Sequence, residues 1–196
     1  MPICRAGRIV HHQIDKPKEV FTLKEIQIKT ERLFITKFDE SMITSVHRNS
    51  LDEDTQKFVP DEVFETEKEA RDTVQFLIQC YDGEEGPFIY PVITLANSEN
   101  VGYVQAIWRE DESLEIGYKI AEKYTGQGYA TEALKAFIPV VMDELEMSEI
   151  WGITRADNIA SCRVLEKLDF ELQEKVISNY HGSQQEVCKY LYSSTV

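Results

Sequence analysis

The spacing of apolar and polar residues changes period along the chain, and the changes mark its elements. Ile26, Ile28, Leu33 and Ile35 flank a polar stretch from Lys29 to Arg32, a pattern that suits a first strand over 26–35. Asp39 offers an N-cap, and Met42, Ile43, Val46 and Leu51 recur at the three-to-four spacing of a short helix. A second helix is predicted over 66–81. Thr66 followed by Glu69 reads as a capping box, and Ala70, Val74, Leu77, Ile78 and Tyr81 form one apolar stripe. The glycine- and proline-containing run 82–87 is expected to stop it.

The period then shifts to two. Residues 88–95, 101–108 and 114–120 are rich in β-branched and aromatic side chains separated by turn-forming residues, which predicts a meander of three antiparallel strands. Pro91 carries no backbone donor and belongs at an edge or bulge. A helix follows with Ala130, Ala133, Leu134, Phe137, Val141 and Leu145 on its apolar side, and Pro139 should bend it. Residues 150–154 read as a short strand, and Asp157 or Asn158 caps a helix carrying Val164, Leu165 and Leu168. Two last strands, near 170–177 and 186–192, flank a turn at 179–182. A strand–helix–strand–helix order after a meander predicts an α/β fold with a mixed central sheet, mostly antiparallel, with a parallel pair at its centre. Residues 26–196 read as one domain. Residues 1–25, which lack sustained periodicity, read as an N-terminal extension.

Composition narrows the functional classes. The 196 residues include 35 acidic and 21 basic side chains, a formal net charge of −14, which repels phosphate backbones and attracts cationic groups. Free nucleic acid is therefore not an expected partner. No apolar run approaches the ~18 residues of a membrane helix, and no signal-type apolar core opens the chain, so a cytoplasmic protein is expected. Cys4, Cys80, Cys162 and Cys188 lack metal or redox spacing and read as reduced thiols. The histidines are equally scattered, His11-His12 cannot share one face of a strand or helix, and no metal site is expected.

The candidate chemistry lies between residues 114 and 137, where a strand, a glycine-containing loop and a helix start follow one another. Gly126 and Gly128 permit close backbone approach, and unpaired amides at a helix N-terminus cradle anions, phosphate above all. Alone, such a loop also describes a tight turn without a ligand. Its sequence from Tyr124 through Gly126-Gln127-Gly128 to Leu134 resembles the pyrophosphate loop and helix of the GNAT superfamily of acyl-CoA N-acyltransferases. The stretch from Asn158 through Ser161 to Leu165-Glu166-Lys167-Leu168-Asp169-Phe170 is similar to that family's second motif. Thr30-Glu31-Arg32-Leu33 resembles the opening of the branch that contains the ribosomal-protein N-terminal acetyltransferases, and the likeness extends over roughly residues 26 to 192.

The resemblance implies helices on both faces of the sheet and acetyl-CoA as co-substrate. It implies that the amides of Thr125, Gly126, Gln127, Gly128, Tyr129 and Ala130 hold the pyrophosphate, and that Ile120 and Asn158 bond the pantetheine arm from either side. It also implies that the thioester sits where two strands splay apart after a bulge. Ser161 either touches the cofactor or faces a helix groove. The sequence departs from the family at three places: Thr125 stands where Gln or Arg is usual, Asp169 replaces a common Gly, and Leu165 occupies the position of a Tyr that serves many relatives as general acid.

Acetyl transfer to an amine needs a deprotonated amine, and a carboxylate acting through water can supply the base. Glu115 is the candidate, in a place that resembles a glutamate of the ribosomal-protein branch; the alternative is a plain surface carboxylate. Tyr90, Trp108 and Tyr118 either wall the acceptor pocket or belong to the core. Direct attack by the amine makes a Cys162 nucleophile unnecessary. The expected function is transfer of acetyl from acetyl-CoA to a primary amine, foremost a peptide or protein N-terminal α-amine. A small cationic amine such as a polyamine or aminoglycoside, or a non-catalytic acyl-CoA-binding module, stands as the alternative. Edge-strand sharing in small acyltransferases makes a homodimer an expectation as well.

Overall fold

The computed structural model describes residues 26–81 and 88–194. The expected extension 1–25, with Cys4 and His11-His12, and the expected helix stop at 82–87 lie outside the described residues. The predicted first strand is two short ones, β1 (Ile28–Lys29) and β2 (Leu33–Ile35), paired antiparallel to each other. The reason is local: the Thr30 amide donates to the Leu33 carbonyl at 2.9 Å, and the Leu33 amide donates to Thr30 Oγ1 at 2.9 Å, which closes a turn inside the polar stretch.

After a 3-10 turn capped by Asp39, α1 (Ile43–Ser50) and α3 (Glu67–Cys80) appear where the apolar spacing places them. The capping box is formed in both directions, with the Glu69 amide donating to Thr66 Oγ1 and the Thr66 amide to Glu69 Oε2. Between them lies α2 (Glu53–Phe58), six residues with no apolar stripe, and therefore invisible to periodicity. It exists because Asp52 caps it, Oδ1 accepting from the Thr55 amide at 2.8 Å. The turn Pro60–Glu62 follows.

β3 (Phe88–Thr94), β4 (Asn100–Trp108) and β5 (Leu114–Ile120) form the antiparallel meander. Pro91 pairs across β3 with Tyr103, while the β2 ladder on the other side ends at Val92, so its missing N–H costs no ladder bond. Then come α4 (Tyr129–Glu144), which contains Pro139, β6 (Glu149–Arg155), α5 (Ile159–Lys167), β7 (Glu171–Tyr180) and β8 (Ser183–Ser193). Among the described residues the sheet runs β1-β2-β3-β4-β5-β6-β8-β7, with β5 and β6 its one parallel pair.

Register assigns the two faces. Tyr90, Val104 and Tyr118 stand opposite one another, on the side covered by α4 and α5: Tyr90 tilts against Phe137, and the Tyr118 hydroxyl reaches Ser161. Tyr103 and Lys119 stand on the other side, under the segment that carries Glu62. Helical segments thus cover both faces. The core includes Leu33, Ile35, Val92, Leu114, Ile116, Leu134 and Phe137, all nearly inaccessible.

At the end of α5, Asp169 takes the left-handed conformation, φ 62°, that a glycine adopts without strain. Asp169→Gly is expected to raise stability by up to about 1 kcal/mol and Asp169→Val to lower it, read as opposite shifts of the urea midpoint at constant m-value.

Candidate active site

The parallel ladder between β5 and β6 is only two registers long, Glu115 opposite Trp151 and Ile116 opposite Gly152. Beyond it β5 continues with β4 as far as Ile120, and β6 continues with β8 as far as Arg155, so the two strands part company. The β6-facing edge of residues 117–120 is left outside any β6 ladder, which frees the backbone of Ile120. No bulge interrupts β5 against β4, which pair in unbroken register from Leu114 to Ile120; the register shifts of the sheet lie at Val92/Ile93 and Leu172/Glu174. The short ladder alone opens the gap. A cavity of about 780 Å³ occupies it, lined among others by Gln105, Trp108, Glu115, Tyr118, Asn158 and Ser161.

At the far end of β5 the chain turns through Glu122–Tyr124 into the glycine loop and α4. Gly126 (φ 73°) and Gly128 (φ 82°) both need positive φ, and Gly128 caps α4 without any side-chain bond to the first amides. A side chain at Gly126 would point into open space. The loop therefore presents helix-terminal amides to an accessible surface, which fits a pyrophosphate. Thr125, where the resemblance implies a Gln or Arg, turns its hydroxyl to the Glu122 carbonyl at 2.8 Å.

The shape of this loop is held from the first hairpin. Glu132, in the first turn of α4, accepts from Thr30 Oγ1 (2.6 Å), the Arg32 amide (2.9 Å) and Arg32 Nε (2.7 Å). Arg32 also donates to the Gln127 carbonyl at 3.0 Å and lies over the Tyr129 ring. Partial burial pushes the Glu132 carboxyl up, yet these hydrogen bonds and the guanidinium outweigh it and hold the group below the usual glutamate value.

Inside the gap, Glu115 is mostly buried and accepts from Arg109 Nη1 at 3.0 Å. Burial pushes its carboxyl above the ordinary value, against the opposing pull of Arg109. Across the sheet, the Tyr118 hydroxyl donates to the Ser161 carbonyl at 3.0 Å and stands 2.7 Å from the Ser161 hydroxyl. Burial raises the Tyr118 phenol, so it stays protonated. Asn158 Oδ1 accepts the Ser161 amide and caps α5. Leu165 is packed on Gly152, where a Cβ would lie 2.7 Å from its Cδ2; the position at which the resemblance implies a Tyr is filled by hydrocarbon.

Of the three aromatic candidates, Trp108 and Tyr118 line the cavity. Tyr90 does not: it is 1% exposed, stacked on Tyr81 at 5.4 Å and tilted on Phe137 at 5.8 Å, because its register places it under α4.

Further groups at the site carry no sequence signal. Both Glu62 oxygens lie 2.6 Å from the Tyr103 hydroxyl and one lies 3.8 Å from Lys119 Nζ. Burial pushes the Glu62 carboxyl up and the Lys119 ammonium down. The tip of the β7–β8 hairpin is tied to the same segment by His181 Nδ1 and Asp61 Oδ1, 2.6 Å apart. Glu62, Tyr103 and His181 all line the cavity. Among the described residues no group of three or more His, Cys, Asp or Glu side chains is placed to hold a metal ion, and Cys80, Cys162 and Cys188 are free thiols. No helix among them is long and apolar enough to cross a membrane.

Residues 32–171 match the family described as "Acetyltransferase (GNAT) domain". Over 144 residues the chain is 26% identical to the uncharacterized N-acetyltransferase YnaD of Bacillus subtilis, covering 73% of this chain and 81% of that protein. The fold is shared with a GNAT-family acetyltransferase from Bacillus anthracis, at a TM-score of 0.72 and 26% identity, covering 86% of this chain and 98% of the other. It is also shared with RimL, named as the ribosomal L7/L12 α-N-protein acetyltransferase and solved with coenzyme A, at a TM-score of 0.71 and 22% identity, covering 84% and 95%. Together with the helix-terminal loop and the gap between β5 and β6, the match over most of its length shows that the chain belongs to the GNAT family of acyl-CoA-dependent N-acetyltransferases.

Proposed function

We propose that the protein acetylates the α-amine of a peptide or protein N-terminus by direct attack within a ternary complex. The observation that carries this reading is Glu115, a largely buried carboxylate of raised pKa on the wall of the gap. The amides of residues 125–130 hold the pyrophosphate, Ile120 and Asn158 bond the pantetheine arm, and acetyl-CoA so held supplies an acetyl thioester. Glu115 takes the amine proton through water. Ser161 gives its hydroxyl proton to the departing sulfur, the role for which Leu165 has no proton, and recovers one from the Tyr118 hydroxyl 2.7 Å away, which is reprotonated in turn from water. Trp108 walls the acceptor side. The open cavity with a carboxylate on its wall supports catalysis over a binding-only module.

Proton availability favours an α-amine: at pH 7.4 about a fifth of such groups are neutral, against roughly a thousandth of lysine side chains. The named substrate of RimL is of this class. A small polycation is the second reading, favoured by the net charge of −14 and by Glu110 and Asp111 at the cavity.

Thiol release from acetyl-CoA against N-terminal peptides, polyamines and aminoglycosides tests the assignment. Selective turnover of peptides is expected, and a preference for polyamines would overturn the α-amine reading. Glu115→Gln should lower kcat by about 10²–10⁴; an unchanged kcat would remove Glu115 as base. Because the reaction needs the ionised carboxylate, kcat/KM should fall as pH drops through a pKa above that of ordinary glutamate. Arg109→Met, which deletes the opposing cation, should move that limb to higher pH. Arg32→Ala should raise the KM for acetyl-CoA several-fold with little change in kcat, since it loosens the loop and leaves the gap intact.

A further inference from the structure

On the face of the sheet that carries Glu115, β4 contributes Tyr103, Gln105 and Ile107 opposite Lys119, Gly117 and Glu115 of β5. Gln105 is only 7% exposed, and its Oε1 is buried without a hydrogen-bond partner. Its side chain lies across Gly117: a Cβ there would fall 2.4 Å from Gln105 Nε2 and 2.8 Å from Cγ. Gly117 has no positive φ, so the missing side chain serves space and not backbone conformation. That space brings the carboxamide past β5 at the residue that follows the last β5–β6 pair, Ile116 with Gly152, on the wall of the cavity. Among the described residues no side chain or backbone group donates to that buried carbonyl, and a ligand in the cavity that Gln105 lines can bring the donor it lacks.

We propose that Gln105 Oε1 accepts a hydrogen bond from the acceptor amine and selects primary over secondary amines. The inference rests on the acetyl-transfer reading above. A neutral primary amine aimed at a thioester directs its lone pair at the carbonyl carbon and leaves two N–H bonds to be received. Glu115, diagonal to Gln105 across the β4–β5 ladder, receives one through water, and Gln105 receives the other. As the nitrogen–carbon bond forms and the carbon–sulfur bond breaks, the first proton leaves through water toward Glu115, the sulfur takes one from Ser161, and the Ser161 hydroxyl is restored by way of Tyr118 and water. The second N–H stays on the product amide, still bonded to Gln105. An N-methylated amine has no second N–H and brings a methyl group against the carboxamide.

The experiment compares an Ala-initiated peptide with its N-methylalanine counterpart, and spermidine with an N-methylated analogue, in the intact protein and in Gln105→Leu. Leucine keeps the packing over Gly117 and removes the orphaned oxygen, so thermal stability should be equal or higher. The wild type should prefer the primary amine. Gln105→Leu should lose about tenfold in kcat/KM for it, as expected for one hydrogen bond, with the KM for acetyl-CoA unchanged and the preference over the N-methyl form much reduced. Gln105→Glu, which retains an acceptor oxygen, should keep the preference. An unchanged kcat/KM in Gln105→Leu, or a change confined to the KM for acetyl-CoA, would overturn the proposal. Lack of turnover by the wild type with every amine would mark failure of the acetyl-transfer reading itself. Calorimetric binding of the peptide to the CoA-loaded protein then decides the role of Gln105: weaker binding to Gln105→Leu supports it, and equal binding rejects it.

Discussion

The active site depends on how short the β5–β6 ladder is. Two adjacent parallel strands would ordinarily bond along their whole length, and a longer ladder here would consume the β5 edge proposed to receive pantetheine and close the cavity. Only Glu115 and Ile116 of β5 find partners on β6, although β5 pairs with β4 from Leu114 to Ile120 and β6 with β8 from Glu149 to Arg155. The right-handed twist between neighbouring strands then carries them apart. An unpaired edge inside a protein leaves backbone donors and acceptors to be matched by something else, and a bound acyl-pantetheine supplies amides of that kind.

The same logic of unmatched groups governs the loop before α4. Four orphan amides open every helix, and Gly128 leaves those of α4 without a side-chain cap. What shapes the loop comes from about 100 residues earlier, where Thr30 and Arg32 hold Glu132 and Arg32 braces the Gln127 carbonyl. The split of the predicted first strand into β1 and β2 is what places these two residues at a turn, where they can reach α4. Thr125 and Leu165, the family departures nearest the chemistry, are both absorbed locally. The threonine hydroxyl closes a turn, and the leucine fills the space over Gly152.

Burial sets the electrostatics of the acceptor side. Glu115 and Glu62 are both pushed toward the neutral acid by desolvation and drawn back by a cation, Arg109 in one case and Lys119 in the other. They differ in connectivity. Glu115 has one arginine partner and lies beside the gap, whereas the oxygens of Glu62 are occupied by Tyr103. These surroundings favour the proposed base role for Glu115 and leave Glu62 to fix the wall that His181 and Asp61 also help to close.

Much of this was legible in the sequence because its causes act over a few residues. The Thr66 capping box, the alternation of β3 to β5, the glycines of the loop and the Asn158 cap are each written within four or five positions of where they act. The Asp169 conformation follows from the same kind of local rule. α2 escaped because six residues capped by Asp52 show no period, and Tyr90 was open between wall and core because alternation gives two faces without saying what covers each. Glu62 under Tyr103, 41 residues apart in sequence, and Gln105 laid over Gly117 are pairings between separate elements. Local pattern determined which elements form and where a cofactor loop can stand; only the tertiary structure decided which polar groups are buried together, because desolvation and hydrogen-bond pairing depend on neighbours that the chain brings near by folding.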